Sequence, residues 1–318
     1  MLRRRHQTAP SLDGTEETGS QVVASSDHSF ACADEPSNTS TPSAQLARQL
    51  QSAMMWAVPA PSRMTDDETL QSELKRRTRF SKLLHAASCD STQDLAAAEA
   101  TDTHGSDDAV FWADHQTRGR GRQQRVWDDD SGLDLAATFR VTVRLPDPIL
   151  LPAALPVAVL RACEPFAGAR LRIKWPNDVY AGDRKLSGVL IDRDSARPHT
   201  YRIGIGINVN RTRFPAPLAA TATSLRLLRG REHRRADVLL ALAEQVDAML
   251  GAIVAGGDVA AYEHLFRERL ALLGREVSVT AGETIEGQLT SIDFERLVLD
   301  GQRAIPLAIV TRLMPRSE

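Results

Sequence analysis

Cysteine is scarce in this 318-residue chain: Cys32, Cys89 and Cys163 stand far apart and form no CxxC pair. Disulfide scaffolds and structural zinc modules need closely spaced pairs, so neither is expected, and a reducing compartment, the cytoplasm, is. A long apolar run is missing too. No stretch approaches the roughly 18 apolar residues of a membrane span, and the mean hydropathy is −0.27. There is no basic excess: the net charge is −2. A protein whose main partner is a nucleic acid backbone carries such an excess. Lysine is rare. Of 39 basic residues only Lys75, Lys82, Lys174 and Lys185 are lysine. Either this is chance, or the lysines that remain sit where a compact, flexible ammonium matters. What is present is the composition of a soluble globular protein, 42 % hydrophobic and 25 % charged, with length for a sizeable core.

Residues 1–63 differ from the rest. They are rich in Ser, Thr, Ala and Pro, with little apolar periodicity, which predicts a disordered tail. The opening Met1-Leu2-Arg3-Arg4-Arg5 has the look of a targeting peptide, but Asp13, Glu16 and Glu17 follow soon and no amphipathic helix continues. One short helix, 44–55, is too little for a DNA-binding helix-turn-helix. Met64, just before the first plausible helix start at Asp66, is a candidate biological start. Three domains are thus expected: a tail (1–65), a main domain (66–272) and a small C-terminal one (273–318).

Within the main domain, strands are expected at 80–87, 110–114, 133–145, 171–175, 185–191 and 201–208, with Gly182-Asp183 turning the chain between 171–175 and 185–191. Helices are expected at 95–100, capped by a Ser or Thr, and at 151–164, 236–254 and 259–273. Consecutive strands with tight turns point to an α+β fold, a mixed or antiparallel sheet with helices on one side. The tail beyond Gly274 reads as short strands at 276–280, 286–292, 296–299 and 308–313, the pattern of a small β-barrel.

Four segments carry chemistry. Arg118-Gly119-Arg120-Gly121-Arg122-Gln123-Gln124-Arg125-Val126-Trp127 alternates arginine with glycine and ends on an indole. Glycines let backbone wrap a ligand, arginines grip phosphate or carboxylate oxygens, and the ring can cover an apolar group. By itself it equally suits a solvated loop or an RNA contact. Lys174-Trp175-Pro176-Asn177-Asp178 ends a strand in a turn that can project polar side chains into a cleft. Arg184-Lys185-Leu186-Ser187-Gly188-Val189-Leu190 sets a lysine ahead of a small Ser-Gly pair. Gly204-Ile205-Gly206-Ile207-Asn208 puts glycines inside a strand, as a bulge or as a place where something approaches the backbone closely.

Together these segments resemble the biotin protein ligase family. They match its GRGRxxRxW, KWPND, RKLxGxL and GIGIN strings, and Asp90-Ser91-Thr92-Gln93 is similar to its DSTN element with Gln in place of Asn. Gln116 stands where the family has a Gln ahead of the Arg/Gly loop. The resemblance runs from about residue 80 to the C-terminus. It implies a class II synthetase-like ligase core followed by an SH3-like β-barrel, of a monofunctional type without a DNA-binding domain.

It also implies a two-step reaction: biotin and Mg-ATP give biotinyl-5′-adenylate and pyrophosphate, and the biotin then passes to a lysine of a biotin carboxyl carrier protein domain. By the same resemblance Lys185, Asp178 and Arg120 are catalytic, with Asp178 receiving the proton of the incoming amine. Ser91, Thr92, Gln93 and Gln116 hold the biotin head; Arg120, Gly121, Arg122, Lys185, Gly188 and Gly206 line its path. Arg120, Arg122, Arg125, Trp127, Lys174, Asn177 and Asn208 face the nucleotide. Mg²⁺ comes with ATP, and no protein metal site is implied. The Arg/Gly loop is expected to be mobile when empty and to close over the adenylate. Asp128-Asp129-Asp130, where the family commonly has Ser-Pro, would weaken triphosphate affinity or draw Mg²⁺. No specific DNA or membrane binding is expected, and a homodimer is compatible with the sequence. A lipoate ligase of the same fold and an RNA-binding protein using the Arg/Gly loop are the rival readings; the first lacks its glycine-rich lipoyl segment here, the second its basic charge.

Overall fold

The computed structural model describes residues 66–99, 108–257 and 259–316. The expected tail, the helix at 44–55, Met64 and Cys32 lie outside the described residues. The first helix, α1 (Asp66–Arg77), opens on three acidic residues and closes on Lys75, Arg76 and Arg77, which suits its dipole, and it buries Leu70 and Leu74. Then come β1 (Lys82–Ala86), the short α2 (Thr92–Ala98), β2 (Ala109–Ala113) and β3 (Leu135–Thr142). After α3 (Leu151–Ala167) the chain runs through β4 (Arg172–Lys174), β5 (Asp178–Ala181), β6 (Arg184–Arg193) and β7 (Thr200–Ile207). These strands form one seven-stranded sheet in the order β1-β2-β3-β7-β6-β5-β4. Only β1 and β2 pair in parallel; the other neighbours are antiparallel.

Two short helices, α4 (Ala216–Ala219) and α5 (Leu225–Arg229), precede the long α6 (Arg235–Val254) and α7 (Val259–Leu270). Helices α3 and α6 pack on each other and on the sheet face that carries Val110 and Trp112. The opposite face of β2, through Ala109 and Phe111, meets Leu95 and Ala96 of α2. The helices are therefore not all on one side: α2 crosses to the other face, because its apolar residues match the alternate register of β2.

Pro148–Ala167 is long and apolar enough to cross a membrane, contrary to the sequence expectation, but most of it is buried in the core. Pro156 and Pro165 sit inside α3, and Gly168 closes it in a left-handed conformation (φ 60°).

The sequence reading overlooked β5. The Gly182-Asp183 turn joins β5 to β6, not 171–175 to 185–191, and Trp175-Pro176-Asn177 is the turn between β4 and β5. Four residues flanked by two turns are too few to show an alternating pattern. The C-terminal region is a five-stranded antiparallel sheet, β8 (Glu276–Ala281), β9 (Glu283–Ile292), β10 (Arg296–Leu299), β11 (Arg303–Pro306) and β12 (Arg312–Pro315), in the order β11-β10-β9-β8-β12. The expected strand at 308–313 is replaced by β11 before it, a 3₁₀ turn at Leu307–Ile309 and β12 after it. The two sheets share one contiguous buried cluster. Phe266 stands between Trp175 and Phe294, with ring centroids 6.1 and 5.4 Å away, and Trp175 Nε1 donates to Val310 O at 2.8 Å.

One buried cation ties the segment after Trp127 to the sheet. Arg211, 2 % exposed, pairs with Asp128 at 2.7 Å and with the equally buried Asp134 at 2.8 Å. Removing one partner of such an arrangement leaves a buried charge unpaired, which costs about 3–5 kcal/mol. Arg211→Ala should lower unfolding free energy by about that amount in urea titrations; a loss under about 1 kcal/mol, the size of an exposed pair, would contradict it.

Candidate active site

A cavity of about 310 Å³ opens on the face of the sheet that carries α2, over β6 and β7. Its lining takes in Ser91, Thr92, Gln93, Gln116, Arg120, Gly121, Arg122, Arg125, Trp127, Asn177, Asp178, Lys185, Gly188 and Gly206. Fourteen of the sixteen residues singled out from sequence are thus brought together.

One end is neutral and built for hydrogen bonds. Ser91 caps α2, its Oγ accepting from Gln93 N at 3.3 Å. Thr92 donates through its backbone N (2.9 Å) and Oγ1 (3.2 Å) to Gln116 Oε1, and Thr138 Oγ1 donates to Thr92 Oγ1 at 2.9 Å. Gln116 has spent its oxygen, so its amide nitrogen remains as a donor. The other end is charged. Lys185 Nζ lies 2.7 Å from Asp178 Oδ1. The pair fits because Gly188 has no side chain: a Cβ there would stand 3.1 Å from Nζ and 3.3 Å from Oδ1. Strand pairing sets this up, since Asp178 on β5 lies opposite Gly188 on β6.

The Arg/Gly segment is a hydrogen-bonded hairpin. Gly121 N donates to Arg125 O at 2.7 Å and Trp127 N to Gly119 O at 3.0 Å. Gln123 and Gln124 turn its tip with φ of 54° and 60°, the left-handed region that costs a non-glycine residue about 1 kcal/mol or more. Arg120 reaches back to α2, donating to Asp94 Oδ1 at 2.7 Å. Arg122 leans over Asn177, Nη1 to Oδ1 at 3.5 Å, and burial lowers its pKa from the ordinary guanidinium value. A cation whose burial disfavours its charge gains most from an incoming anion. Trp127 lies against Gly206, and Lys185 Nζ is 5.7 Å from its ring.

Two expected contacts are not made. Lys174 sits over the Tyr180 ring (4.9 Å) and lines a separate cleft with Arg172, Leu270 and Met314, because β4 is the edge strand and β5 stands between it and the cavity over β6 and β7. Asn208 is buried and spends its amide on Lys185 O (3.4 Å) and Thr223 O (2.9 Å), so it holds the end of β6 in place of touching a ligand. Two carboxylates of the acidic triplet are spent on partners. Asp128 pairs with Arg211, and Asp129 accepts from Gln116 N at 2.9 Å and faces His115. Asp130 donates its backbone N–H to Asp134. Asp128 and Asp129 are scaffolding under the loop and Gln116, and Asp130 joins them only through its backbone.

Sequence reasoning missed Tyr180 and Leu218, which also line the cavity. Burial and the neighbouring Asp178 push the Tyr180 hydroxyl up to about 12, so it serves as a neutral donor. Sequence offered no signal for it, since it shares a face with Asp178 only once the four-residue β5 is known. Leu218 had none, since it arrives on α4 through a loop. Cys89, near the site, has its thiol raised to about 11 by burial and by nearby Asp129 and Asp90, which leaves it inert as a nucleophile.

Residues 86–210 match the model of the Biotin/lipoate A/B protein ligase family. The chain is 32 % identical over 185 residues to the bifunctional ligase/repressor BirA of Bacillus spizizenii, a match covering 56 % of each protein. It is 34 % identical over 153 residues to the biotin–[acetyl-CoA-carboxylase] ligase of Mycobacterium tuberculosis, covering 41 % of this chain and 54 % of that one. The chain thus spans about half the length of these curated relatives. Among solved structures, biotin protein ligase from Aquifex aeolicus in complex with biotin and ATP superposes with a TM-score of 0.65 at 26 % identity, over 74 % of this chain and all of that one.

The close fit at Gly206 can be tested directly. A Cβ there would fall 2.3 Å from the Trp127 ring. Gly206→Ala should displace the indole and shift intrinsic tryptophan emission without unfolding the protein. Unchanged emission would mean that the ring does not rest on the strand.

Proposed function

We propose that this chain, which carries a Biotin/lipoate A/B protein ligase domain over residues 86–210, activates biotin with ATP to biotinyl-5′-AMP and transfers the biotin to a lysine of a biotin carboxyl carrier protein. The observation that carries this reading is the polarity of this cavity. A neutral hydrogen-bonding end, Ser91, Thr92 and Gln116, suits a ureido head, and an end with Lys185, Arg122 and Arg125 suits a carboxylate meeting a phosphate. Adenylate formation joins two anions, which repel until fixed cations neutralise them away from water.

In the first step a biotin carboxylate oxygen attacks the α-phosphorus of ATP and pyrophosphate leaves. Lys185 stands between the two groups and bears on the charge that builds up there. Arg120, Arg122 and Arg125 hold phosphate oxygens from the loop, and Trp127 covers the product. In the second step the carrier amine attacks the acyl carbon and AMP leaves. Asp178, freed from Lys185 as that ammonium turns to the phosphate, receives the amine proton. Mg²⁺ would enter with the ATP phosphates. Among the described residues no group of three or more His, Cys, Asp or Glu could hold a metal ion, so the nucleotide would supply most of its ligands.

The test is to incubate the protein with labelled biotin, ATP, Mg²⁺ and a carrier domain, with lipoate in parallel. Pyrophosphate release that requires biotin, with label reaching the carrier lysine, is expected; release with lipoate and not biotin would overturn the reading.

Lys185→Ala should lose on the order of 100-fold or more in adenylate formation, the scale of one charged transition-state contact. A folded variant with near-normal adenylation would remove Lys185 from the chemistry.

A further inference from the structure

Strand β6 carries an extra residue where it pairs with β5. Asp178 lies opposite Gly188 and Val179 opposite Ser187, but Tyr180 lies opposite Lys185, so Leu186 has no partner across the pair. This bulge decides which side chains reach the cavity. Lys185 and Gly188 are three residues apart and would face opposite sides of a regular strand. The extra residue turns Lys185 back over Gly188, beside Tyr180.

Tyr180 itself is a wall between two hollows. It lines the cavity and also the neighbouring cleft, where Lys174 Nζ lies 4.9 Å from its ring centroid. Its hydroxyl belongs to the cavity: the charged groups that act on it, Asp178 and Arg125, line the cavity and not the cleft. No described residue hydrogen-bonds to that oxygen. The oxygen keeps contact with solvent, where Trp127 Nε1 in the same lining has none. A phenol held neutral has one proton to donate, and a charged ligand oxygen makes the strongest partner for it.

We infer that the Tyr180 hydroxyl is a catalytic residue that donates a hydrogen bond to a non-bridging oxygen of the α-phosphoryl group under attack, between Lys185 and Arg125. The inference rests on the adenylation reading above and adds a residue to it. As the bond from carboxylate oxygen to phosphorus forms, the bond to pyrophosphate breaks and its electron pair leaves on pyrophosphate. The phenol keeps its proton throughout and supplies a fixed dipole aimed at the phosphoryl charge. Asp178, two residues away on the same strand, is the rival acceptor, but it takes no hydrogen bond from the phenol.

The experiment compares the intact protein with Tyr180→Phe, which keeps the ring over Lys174 and removes only the oxygen. Biotin-dependent pyrophosphate release is measured with ATP and with the two diastereomers of its α-thio analogue, in each of which sulfur replaces one non-bridging oxygen. Sulfur accepts hydrogen bonds poorly. With ATP, kcat should fall about tenfold to 100-fold in the variant, the range of one hydrogen bond to a charged group, while the KM for biotin stays unchanged. Wild type should prefer one diastereomer, and Tyr180→Phe should lose about tenfold of that preference. Any preference set by Mg²⁺ is common to both proteins and cancels in the ratio. A fall in kcat with the preference intact would mark a structural effect and overturn the assignment. So would normal adenylation with slowed transfer from preformed adenylate, which would give the hydroxyl to Asp178. Equal use of both diastereomers by wild type overturns it whatever the variant does. Wild type that releases no pyrophosphate with biotin and ATP would instead remove the functional reading, and this inference with it.

Discussion

Much of the site depends on a patch of sheet without side chains. Gly188 and Gly206 are register partners on β6 and β7, and Gly204 lies two residues along β7, opposite Leu190. All three project to the same face by strand alternation. Each absent Cβ leaves room for a group from elsewhere: the Lys185–Asp178 pair over Gly188, the Trp127 ring over Gly206 and the Gln93 amide over Gly204. Glycine weakens a strand interior by its lost packing and its entropy. The cost is borne here where two long antiparallel pairings, β3 with β7 and β7 with β6, already hold the backbone.

The electrostatics follow from the same layout. The neutral end lies deep, where Thr92, Gln116 and Thr138 are buried and hydrogen-bonded to each other. The cations sit at the other end and on the loop, where Arg120 is half exposed. A ligand with an uncharged head and an anionic tail is oriented by this gradient before any chemistry occurs. Asp128 and Asp129 do not disturb it, because Arg211 and the Gln116 backbone N–H take up their charge.

The sequence by itself determined the element types, the α+β class and most of the site, because the chemistry-bearing residues cluster in short strings whose backbone is locally ordained: a capped helix start at Ser91, a turn at Pro176, a glycine-bearing strand at Gly204. Local pattern also misled. Lys174 and Asp178 share one pentapeptide, yet one lines a separate cleft and the other the cavity, because β4 is the edge strand and only β5 pairs with β6. Asn208 follows Gly206 by two residues, but β7 ends at Ile207 and its amide turns into hydrogen bonds to Lys185 O and Thr223 O. Tertiary structure alone decided that Gln93 turns its nitrogen to two strands, that Leu218 joins the wall, and that Arg211 neutralises Asp128. Each of these rests on pairs more than ten residues apart in sequence, whose meeting is set by strand register and by burial of opposite charge, and neither is encoded in any local window.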